Sequence, residues 1–144
     1  MPHSVIPPAA GRIQKSSTIL IVEDDVAIGT FLQQLIEEET PYTSTVVFDG
    51  PSALEATRQI HPRLFLLDYR LPGMNGVELY DHLQNMEESK GVPAIMMSAT
   101  LPTEELRKRG IYPLRKPMEI GNVIRMITHA LVTFEEQLVE KQSS

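Results

Sequence analysis

Five short apolar runs, spaced fairly evenly along the chain, constrain its fold more than any other feature. They occupy residues 18–22, 43–48, 64–67, 94–97 and 111–114. Most of them lack the alternation of a half-buried strand, and this is the pattern of strands buried on both faces of a parallel sheet. The second and fifth runs are less hydrophobic, so we expect them to lie nearer the edges of that sheet.

Helical patterns fill the gaps between these runs. In the first gap, the apolar residues at helical spacing are Ile28, Phe31, Leu32, Leu35 and Ile36. Residues 52–59 form a shorter pattern, residues 103–109 contain only Leu106 as an internal apolar anchor, and the longest stripe runs from Ile120 to Leu138. Strand and helix thus alternate five times. This predicts an α/β domain, a doubly wound five-stranded parallel sheet with helices on both faces.

The length of 144 residues is typical of one domain, which we place at residues 18–133. Residues 1–17 contain Pro2, Pro7, Pro8 and Gly11, which predict a flexible N-terminal arm. Residues 134–144 are predicted to be a helical extension and tail. This extension is open to two interpretations, a long helix with a frayed end or a surface for docking or homodimerisation.

Composition excludes several classes of protein. The chain has no cysteine, which excludes a disulfide scaffold, thiolate zinc sites and thiol catalysis. Its net charge of −6 provides no basic excess for neutralising nucleic-acid phosphates. No apolar run approaches the ~18 residues of a membrane span. Only 28 residues follow Lys116, too few for a DNA-binding domain. We therefore expect a cytoplasmic protein with neither DNA nor membrane among its partners.

Charged and hydroxyl side chains follow four of the five predicted strands. In strand order they are Glu23, Asp24 and Asp25, then Asp68, then Ser98, and finally Lys116. In a sheet of this type, ligands bind beyond the carboxyl ends of the strands. We expect the topology to gather these residues at one edge, although they are scattered over 94 positions of sequence.

These residue types suit phosphoryl chemistry. Carboxylates that share a cleft repel each other, and a divalent cation removes that conflict. Oxygen ligands without His or Cys favour a hard ion such as Mg²⁺. The carboxylate of Asp68 can attack phosphorus to give an acyl phosphate, while Lys116 neutralises charge and the Ser98 hydroxyl donates a hydrogen bond.

Each of these residues also has a plainer interpretation. Asp25 can cap the helix that begins near Val26, Ser98 can be a turn residue, and Lys116 can be a surface lysine. Asp68 is harder to explain in this way, because an aspartate that ends a buried apolar run is costly unless it is paired or used.

Four segments resemble the response-regulator receiver family of two-component signalling. They are residues 19–25 (ILIVEDD), residues 66–76 (LLDYRLPGMNG), Met97-Ser98-Ala99 and Lys116-Pro117. The resemblance covers residues 18–133 and implies the flavodoxin-like strand order 2-1-3-4-5. It further implies a cis bond between Lys116 and Pro117.

The resemblance also implies a role for each site residue. Asp68 would accept a phosphoryl group from a histidine kinase or phosphotransfer protein, and Ser98 and Lys116 would hold that group. The Mg²⁺ ligands would be Asp24, Asp68, the Arg70 backbone carbonyl and, through water, Glu23. Such a domain is a signalling switch toward a downstream protein target rather than an enzyme.

Three departures from the family pattern concern the output. Pro113 stands where the family has an aromatic residue, and Tyr112, one position earlier, would face the opposite side of its strand. The interval of 18 residues between Ser98 and Lys116 is short and predicts a short fourth helix. Arg70, two positions after Asp68, is hypothesised to shield the phosphoryl group from hydrolysis.

Other functions remain open. A degenerate receiver would act as a docking module without phosphorylation. An aspartate-nucleophile phosphohydrolase would need a second aspartate where Arg70 stands. A nucleotide-binding flavodoxin-like protein would need a glycine-rich loop after the first strand, and the sequence has none there.

Overall fold

The computed structural model describes residues 18–143, and the predicted N-terminal arm of residues 1–17 lies outside them. In chain order the elements are β1 (Thr18–Val22), α1 (Val26–Glu39), β2 (Thr43–Val47), α2 (Gly50–Ile60), β3 (Leu64–Asp68), β4 (Arg70–Leu71), β5 (Met74–Asn75), α3 (Gly76–Gln84), β6 (Ala94–Ser98), α4 (Thr103–Arg109), β7 (Tyr112–Arg115) and α5 (Ile120–Ser143). The two-residue strands β4 and β5, which form a small antiparallel hairpin, were not predicted.

The main sheet has five parallel strands in the order β2-β1-β3-β6-β7. Because β4 and β5 belong to the separate hairpin, β6 and β7 are the fourth and fifth strands of this sheet. The predicted order 2-1-3-4-5 is therefore confirmed, and the two less hydrophobic runs do form its edges.

Alternate residues of each strand point to opposite faces of the sheet and build two separate cores. On one face, Ile19 and Ile21 of β1 pack with residues of α1 and α5. On the other face, Leu20 and Val22 pack with residues of α2, α3 and α4. The predicted placement of helices on both faces is confirmed, and it explains why the central strands are apolar without interruption.

The predicted apolar stripe of α1 is wrong at one position. Phe31 is exposed, whereas Gly29, Leu32, Leu35 and Ile36 are buried. Gly29 packs closely against β2, since an added Cβ there would lie only 2.9 Å from Cγ1 of Val46. The contact face of α1 is therefore centred nearer Gly29, which leaves Phe31 toward solvent.

The short fourth helix predicted from the Ser98–Lys116 interval is present. Helix α4 has seven residues, ends at Gly110 with a left-handed backbone, and buries only Leu106. Arg109 compensates for this small buried surface, because its guanidinium donates to both carboxylate oxygens of Asp81 on α3, at 2.8 and 2.9 Å, and to Glu105 at 2.8 Å. Charge as well as burial thus fixes α4 to its neighbour.

Helix α5 is the longest element, with 24 residues. It continues through Thr133, so the predicted domain end falls inside a helix and the boundary itself stays a prediction. Between Thr18 and Ser143, no helix combines the length and the apolar character needed to cross a membrane.

Gly76 gives a direct test of how tightly the loop after β3 is packed. A Cβ at this position would lie 2.7 Å from the carbonyl oxygen of Asp68 and 3.0 Å from Cα of Tyr69. Because backbone atoms cannot move aside cheaply, we expect Gly76→Ala to lower the free energy of unfolding by about 1–3 kcal/mol in urea titrations.

Gly121→Ala is the matched control, because the nearest atom there is the flexible end of Arg125. Alanine is the better helix former, so this variant should be neutral or up to ~1 kcal/mol more stable. Equal losses in the two variants would contradict the packing argument.

Candidate functional site

The sheet gathers the predicted site residues at its carboxyl edge. Glu23 directly follows β1, Asp68 ends β3, Ser98 ends β6 and Lys116 directly follows β7. The strand register aligns these ends, since Val22 is opposite Leu67, Asp68 is opposite Met97 and Ser98 is opposite Arg115. Adjacent parallel strands that end at the same level place their next side chains in one shallow cleft.

Three carboxylates form a cluster in this cleft. Glu23, Asp24 and Asp68 each offer a carboxylate oxygen, and these oxygens lie within 4.8 Å of one another. Glu23 is 1 % exposed and Asp68 is 5 % exposed, whereas Asp24 lies at the surface. A set of oxygen donors that is open to solvent on one side fits a hard divalent cation such as Mg²⁺.

Lys116 supplies the cation for the two buried carboxylates. Its Nζ lies 3.2 Å from Oε1 of Glu23 and 3.5 Å from Oδ1 of Asp68. Burial lowers the pKa of Lys116, but the charges of Asp68 and Glu23 outweigh burial, and the net direction is upward. Lys116 is therefore charged at neutral pH and remains next to Asp68.

Glu23 is the member of the cluster whose ionised form is disfavoured. Burial raises its pKa to about 7; a hydrogen bond from the backbone N–H of Asp25 opposes this shift, while the charge of Asp68 adds to it. The Asp25 N–H donates to Oε2 of Glu23 at 3.1 Å, and Lys116 holds the other oxygen. Even so, one positive charge serves two buried carboxylates, so the site favours additional positive charge.

Asp25 lies outside the cluster. Its Oδ1 accepts a hydrogen bond from the backbone N–H of Ile28 at 3.1 Å, which makes it the N-cap of α1. Of the two interpretations left open for this residue, the capping one is confirmed. The cap fixes the start of α1 immediately behind Glu23 and Asp24.

The side chain of Ser98 makes local contacts at this edge. Its hydroxyl donates to the carbonyl of Thr100 at 2.9 Å and accepts from the Thr100 N–H at 3.2 Å. The backbone of Ser98 is joined to Lys116, whose N–H donates to the Ser98 carbonyl at 3.0 Å. Ser98 is thus at the predicted edge, with its hydroxyl engaged by the loop that leads to α4.

The segment after Asp68 is fixed by features that sequence reasoning missed. Arg70 is exposed in β4, and its N–H donates to Oδ1 of Asp68 at 3.4 Å; a metal-ligand role for its carbonyl stays a prediction. Asn75 and Glu78 form a reciprocal capping box at the start of α3. The spacing Asn-x-x-Glu is a known sequence signal for such a box and could have been found.

A comparison with protein families decides where the chain belongs. The model of the response regulator receiver domain matches residues 19–128, a range that includes every site residue described above. The chain belongs to the response regulator receiver domain family. Receiver domains are signalling domains of two-component response regulators, and the predicted family is confirmed.

Curated relatives agree with this assignment. The DNA-binding response regulator MtrA of Mycobacterium tuberculosis is 35% identical over 88 residues, which is 61% of this chain and 37% of MtrA. The polar-differentiation response regulator DivK of Brucella ovis is 29% identical over 116 residues, covering 78% of this chain and 94% of DivK. The chain thus spans well under half the length of MtrA but most of the length of DivK.

Solved structures share the same fold. A CheY-like response regulator receiver domain protein from Methanospirillum hungatei has a TM-score of 0.76 at 26% identity, covering 84% of this chain and 98% of that one. NtrX from Brucella abortus, crystallised in complex with ADP, has a TM-score of 0.80 at 27% identity, covering 90% of this chain and 30% of NtrX.

This receiver domain departs from the family pattern at β7, as predicted from its sequence. Tyr112 packs with the core on the α1 and α5 side, where its ring makes an edge contact with His129 at 5.7 Å between centroids. Pro113 is exposed on the other side, next to Leu106 and Gly110 of the α4 region. The Lys116–Pro117 bond is cis, as the resemblance implied.

The raised pKa of Glu23 predicts how the receiver domain responds to pH. Between its ordinary value of 4.5 and about 7, folded Glu23 holds a proton that unfolded Glu23 has lost. The free energy of unfolding therefore falls as pH rises through this window, by ~1.4 kcal/mol per unit of pKa difference. Glu23→Gln should lose this part of the pH dependence in urea titrations with EDTA from about pH 5 to about pH 8.

Asp25→Asn is the matched control, since it changes the adjacent carboxylate that caps α1 and should keep the slope of the parent. A Glu23→Gln variant with the same slope as the parent would show that Glu23 does not titrate in this range.

Proposed function

We propose that Asp68 is the phosphoacceptor of this receiver domain and that a histidine kinase or a phosphotransfer protein supplies the phosphoryl group. The observation that carries the proposal is the setting of Asp68. Its carboxylate ends β3 almost fully buried, within 4.8 Å of two other carboxylates and 3.5 Å from a lysine ammonium group. A carboxylate that lies beside an ammonium group in such a cleft is placed to act as a nucleophile toward phosphorus.

The transfer proceeds by displacement at phosphorus. An oxygen of the Asp68 carboxylate attacks the phosphorus of phosphohistidine, the P–N bond breaks, and its electron pair returns to the imidazole nitrogen. The product is an aspartyl phosphate, which water later cleaves at the P–O bond to regenerate the carboxylate and release inorganic phosphate. The domain thus assists only its own phosphorylation and dephosphorylation, as expected of a signalling domain rather than an enzyme.

Lys116 and Ser98 are proposed to hold the phosphoryl group. The Nζ of Lys116 already lies 3.5 Å from Asp68 and can neutralise charge on a phosphoryl oxygen. The Ser98 hydroxyl now donates to the Thr100 carbonyl, and it would exchange that bond for one to a phosphoryl oxygen. This exchange would pull on the loop before α4, and the phosphate would bias a surface between two states.

Glu23, Asp24, Asp68 and the Arg70 carbonyl are proposed to hold Mg²⁺. The fit rests on the clustered carboxylate oxygens and on the raised pKa of Glu23, which marks a site short of positive charge. When bound, the ion supplies the charge neutralisation that Lys116 alone does not complete. The carboxylates would position the ion, and Lys116, which now contacts Glu23 and Asp68, would meet the incoming phosphoryl group.

Incubation with Mg²⁺ and acetyl phosphate, followed by intact-mass measurement, tests the phosphoacceptor. We expect a single added phosphoryl group on the parent chain and none on Asp68→Asn. Asp25→Asn is the control, since it removes a nearby carboxylate that lies outside the cluster, and it should be labelled like the parent. Labelling of Asp68→Asn at the parent rate would exclude Asp68 as the acceptor.

Metal removal gives a separate prediction. EDTA should abolish labelling by acetyl phosphate, and Asp24→Asn should need a higher Mg²⁺ concentration for half-maximal labelling because one anionic ligand is lost. The Asp25→Asn control should keep the Mg²⁺ dependence of the parent. Labelling that continues at full rate in EDTA would contradict the metal site.

Arg70 is proposed to lengthen the lifetime of the aspartyl phosphate. Its backbone N–H lies 3.4 Å from Oδ1 of Asp68, and its exposed cationic side chain leaves the backbone next to the acceptor. We expect Arg70→Ala to lose phosphate severalfold faster than the parent in a dephosphorylation time course. An unchanged rate would exclude the shielding role.

A docking module that works without phosphorylation is the second candidate, and one observation favours it. Pro113 occupies the β7 position of the usual aromatic, while Tyr112 packs against α5 on the other side. The acetyl phosphate experiment separates the two functions, since a docking module would form no adduct. In either case we propose that the output is a change in binding to a downstream protein.

A further inference from the structure

The loop from β6 to α4 begins with the peptide unit that joins Ala99 to Thr100, which we call the 99–100 peptide. It is a trans peptide, so its carbonyl oxygen, from Ala99, and its N–H, from Thr100, point in opposite directions. Because a peptide unit is planar and rigid, these two groups can only turn together. Each of them has a side-chain partner, and the 99–100 peptide is therefore held at both ends.

The N–H end is held by Ser98. The Ser98 hydroxyl accepts from the Thr100 N–H at 3.2 Å and donates to the Thr100 carbonyl at 2.9 Å. Ser98 is 2 % exposed, so water has little access to replace these bonds. The same hydroxyl is the one proposed to bind the phosphoryl group on Asp68. When it turns toward that group, the N–H end of the 99–100 peptide loses its acceptor.

The carbonyl end is held by Arg115. Its Nη1 donates to the Ala99 carbonyl at 3.2 Å. Arg115 is the last residue of β7 and lies opposite Ser98 in the strand register. The next residue joins the same two strands, since the Lys116 N–H donates to the Ser98 carbonyl at 3.0 Å. Arg115 thus connects the loop to the end of a neighbouring strand, whose position the sheet fixes.

The partner of Arg115 differs from those of the arginines that form ion pairs. Arg58, Arg107 and Arg109 each pair with a carboxylate. In the part of the chain that the structure describes, Arg115 pairs with no carboxylate, and its side-chain bond goes to the Ala99 carbonyl. A hydrogen bond from a guanidinium is charge-assisted and stronger than one between neutral groups. No ion pair draws Arg115 away from the loop.

The start of α4 depends on few contacts besides these. Within residues 18–143, no side chain caps α4 at Pro102, and the helix buries only Leu106. In the loop itself, Leu101 is 9 % exposed and packs with the core on this face of the sheet. The two holds on the 99–100 peptide are therefore a large part of what fixes the beginning of the loop.

We propose that Arg115 is a positioning residue that holds the 99–100 peptide in its resting orientation and so opposes the turn of Ser98 toward the phosphoryl group. This rests on the proposed function of Asp68 and Ser98. Once Ser98 releases the N–H, any turn of the rigid peptide also breaks the bond to Arg115. A contact made only in the resting state lowers the affinity for the phosphoryl group by the factor that the contact is worth.

Amide hydrogen exchange of Thr100, followed by NMR on the full chain without metal or phosphodonor, tests the hold itself. Arg115→Met keeps a long side chain but removes every donor. It should raise the exchange rate about fivefold, the factor that a typical net hydrogen bond is worth. Arg115→Lys retains a charged donor and should restore most of the protection. This measurement does not require that Asp68 be phosphorylated.

Arg125→Met is the matched control. It removes the same donors and the same charge from α5, where Arg125 donates to the side chain of Asn122 and not to the loop. Its Thr100 amide should exchange at the parent rate.

Titration with beryllofluoride in the presence of Mg²⁺ tests the link to phosphorylation, since this ion mimics a phosphoryl group bound to a carboxylate. Arg115→Met should bind it about fivefold more tightly than the parent. Arg115→Lys and Arg125→Met should bind it like the parent. Loss of a positive charge or damage to the fold would weaken the binding of an anion, so tighter binding is specific to a resting-state hold.

Three outcomes would count against this role. Equal Thr100 exchange in the parent and Arg115→Met would show that Arg115 does not hold the loop. Faster exchange together with unchanged or weaker beryllofluoride binding would show that the contact does not favour the resting state. A parent chain that binds no beryllofluoride would overturn the proposed phosphoacceptor and the link to it, while the exchange rates would still decide whether Arg115 holds the 99–100 peptide.

Discussion

The buried carboxylates of Glu23 and Asp68 share one lysine, and most of the local architecture serves to hold these three groups together. Lys116 reaches Glu23 at 3.2 Å and Asp68 at 3.5 Å from the end of a different strand. Two negative charges in a poorly solvated cleft are unfavourable, and a single ammonium group compensates only in part. The parallel sheet makes the arrangement possible, because it brings the ends of β1, β3 and β7 to one level without any local sequence signal.

Much of the fold and of the candidate site was predictable, because both depend on the regular alternation of strands and helices in the sequence. Strands buried on both faces need uninterrupted apolar runs, and β1, β3 and β6 have them, so the sheet and its order followed from the sequence and the family resemblance. The short α4 followed from the interval between Ser98 and Lys116. The positions of Glu23, Asp24, Asp68 and Lys116 followed from the rule that parallel strands end at the same edge.

Other features depend on tertiary contacts and could not be predicted in this way. The hairpin of β4 and β5 has two residues per strand, which is too short for any period to be visible. The orientation of α1 depends on the close approach of Gly29 to Val46, and an apolar count gives no weight to glycine. The hydroxyl of Ser98 donates to the carbonyl of Thr100, two residues away, and no sequence pattern distinguishes that state from one in which the hydroxyl faces Asp68.

Helix α4 buries a single side chain, that of Leu106, and an ion pair with α3 contributes to its anchoring. One buried leucine and two charged hydrogen bonds from Arg109 to Asp81 of α3 attach it, while the bond from Arg109 to Glu105 lies within α4 itself. Exposed ion pairs weaken as ionic strength rises, whereas hydrophobic burial is not screened by salt. The helix that follows the Ser98 loop is therefore the element whose anchoring depends on the electrolyte around the protein. A rise in ionic strength therefore weakens the attachment of α4 to α3 while the two hydrophobic cores stay intact.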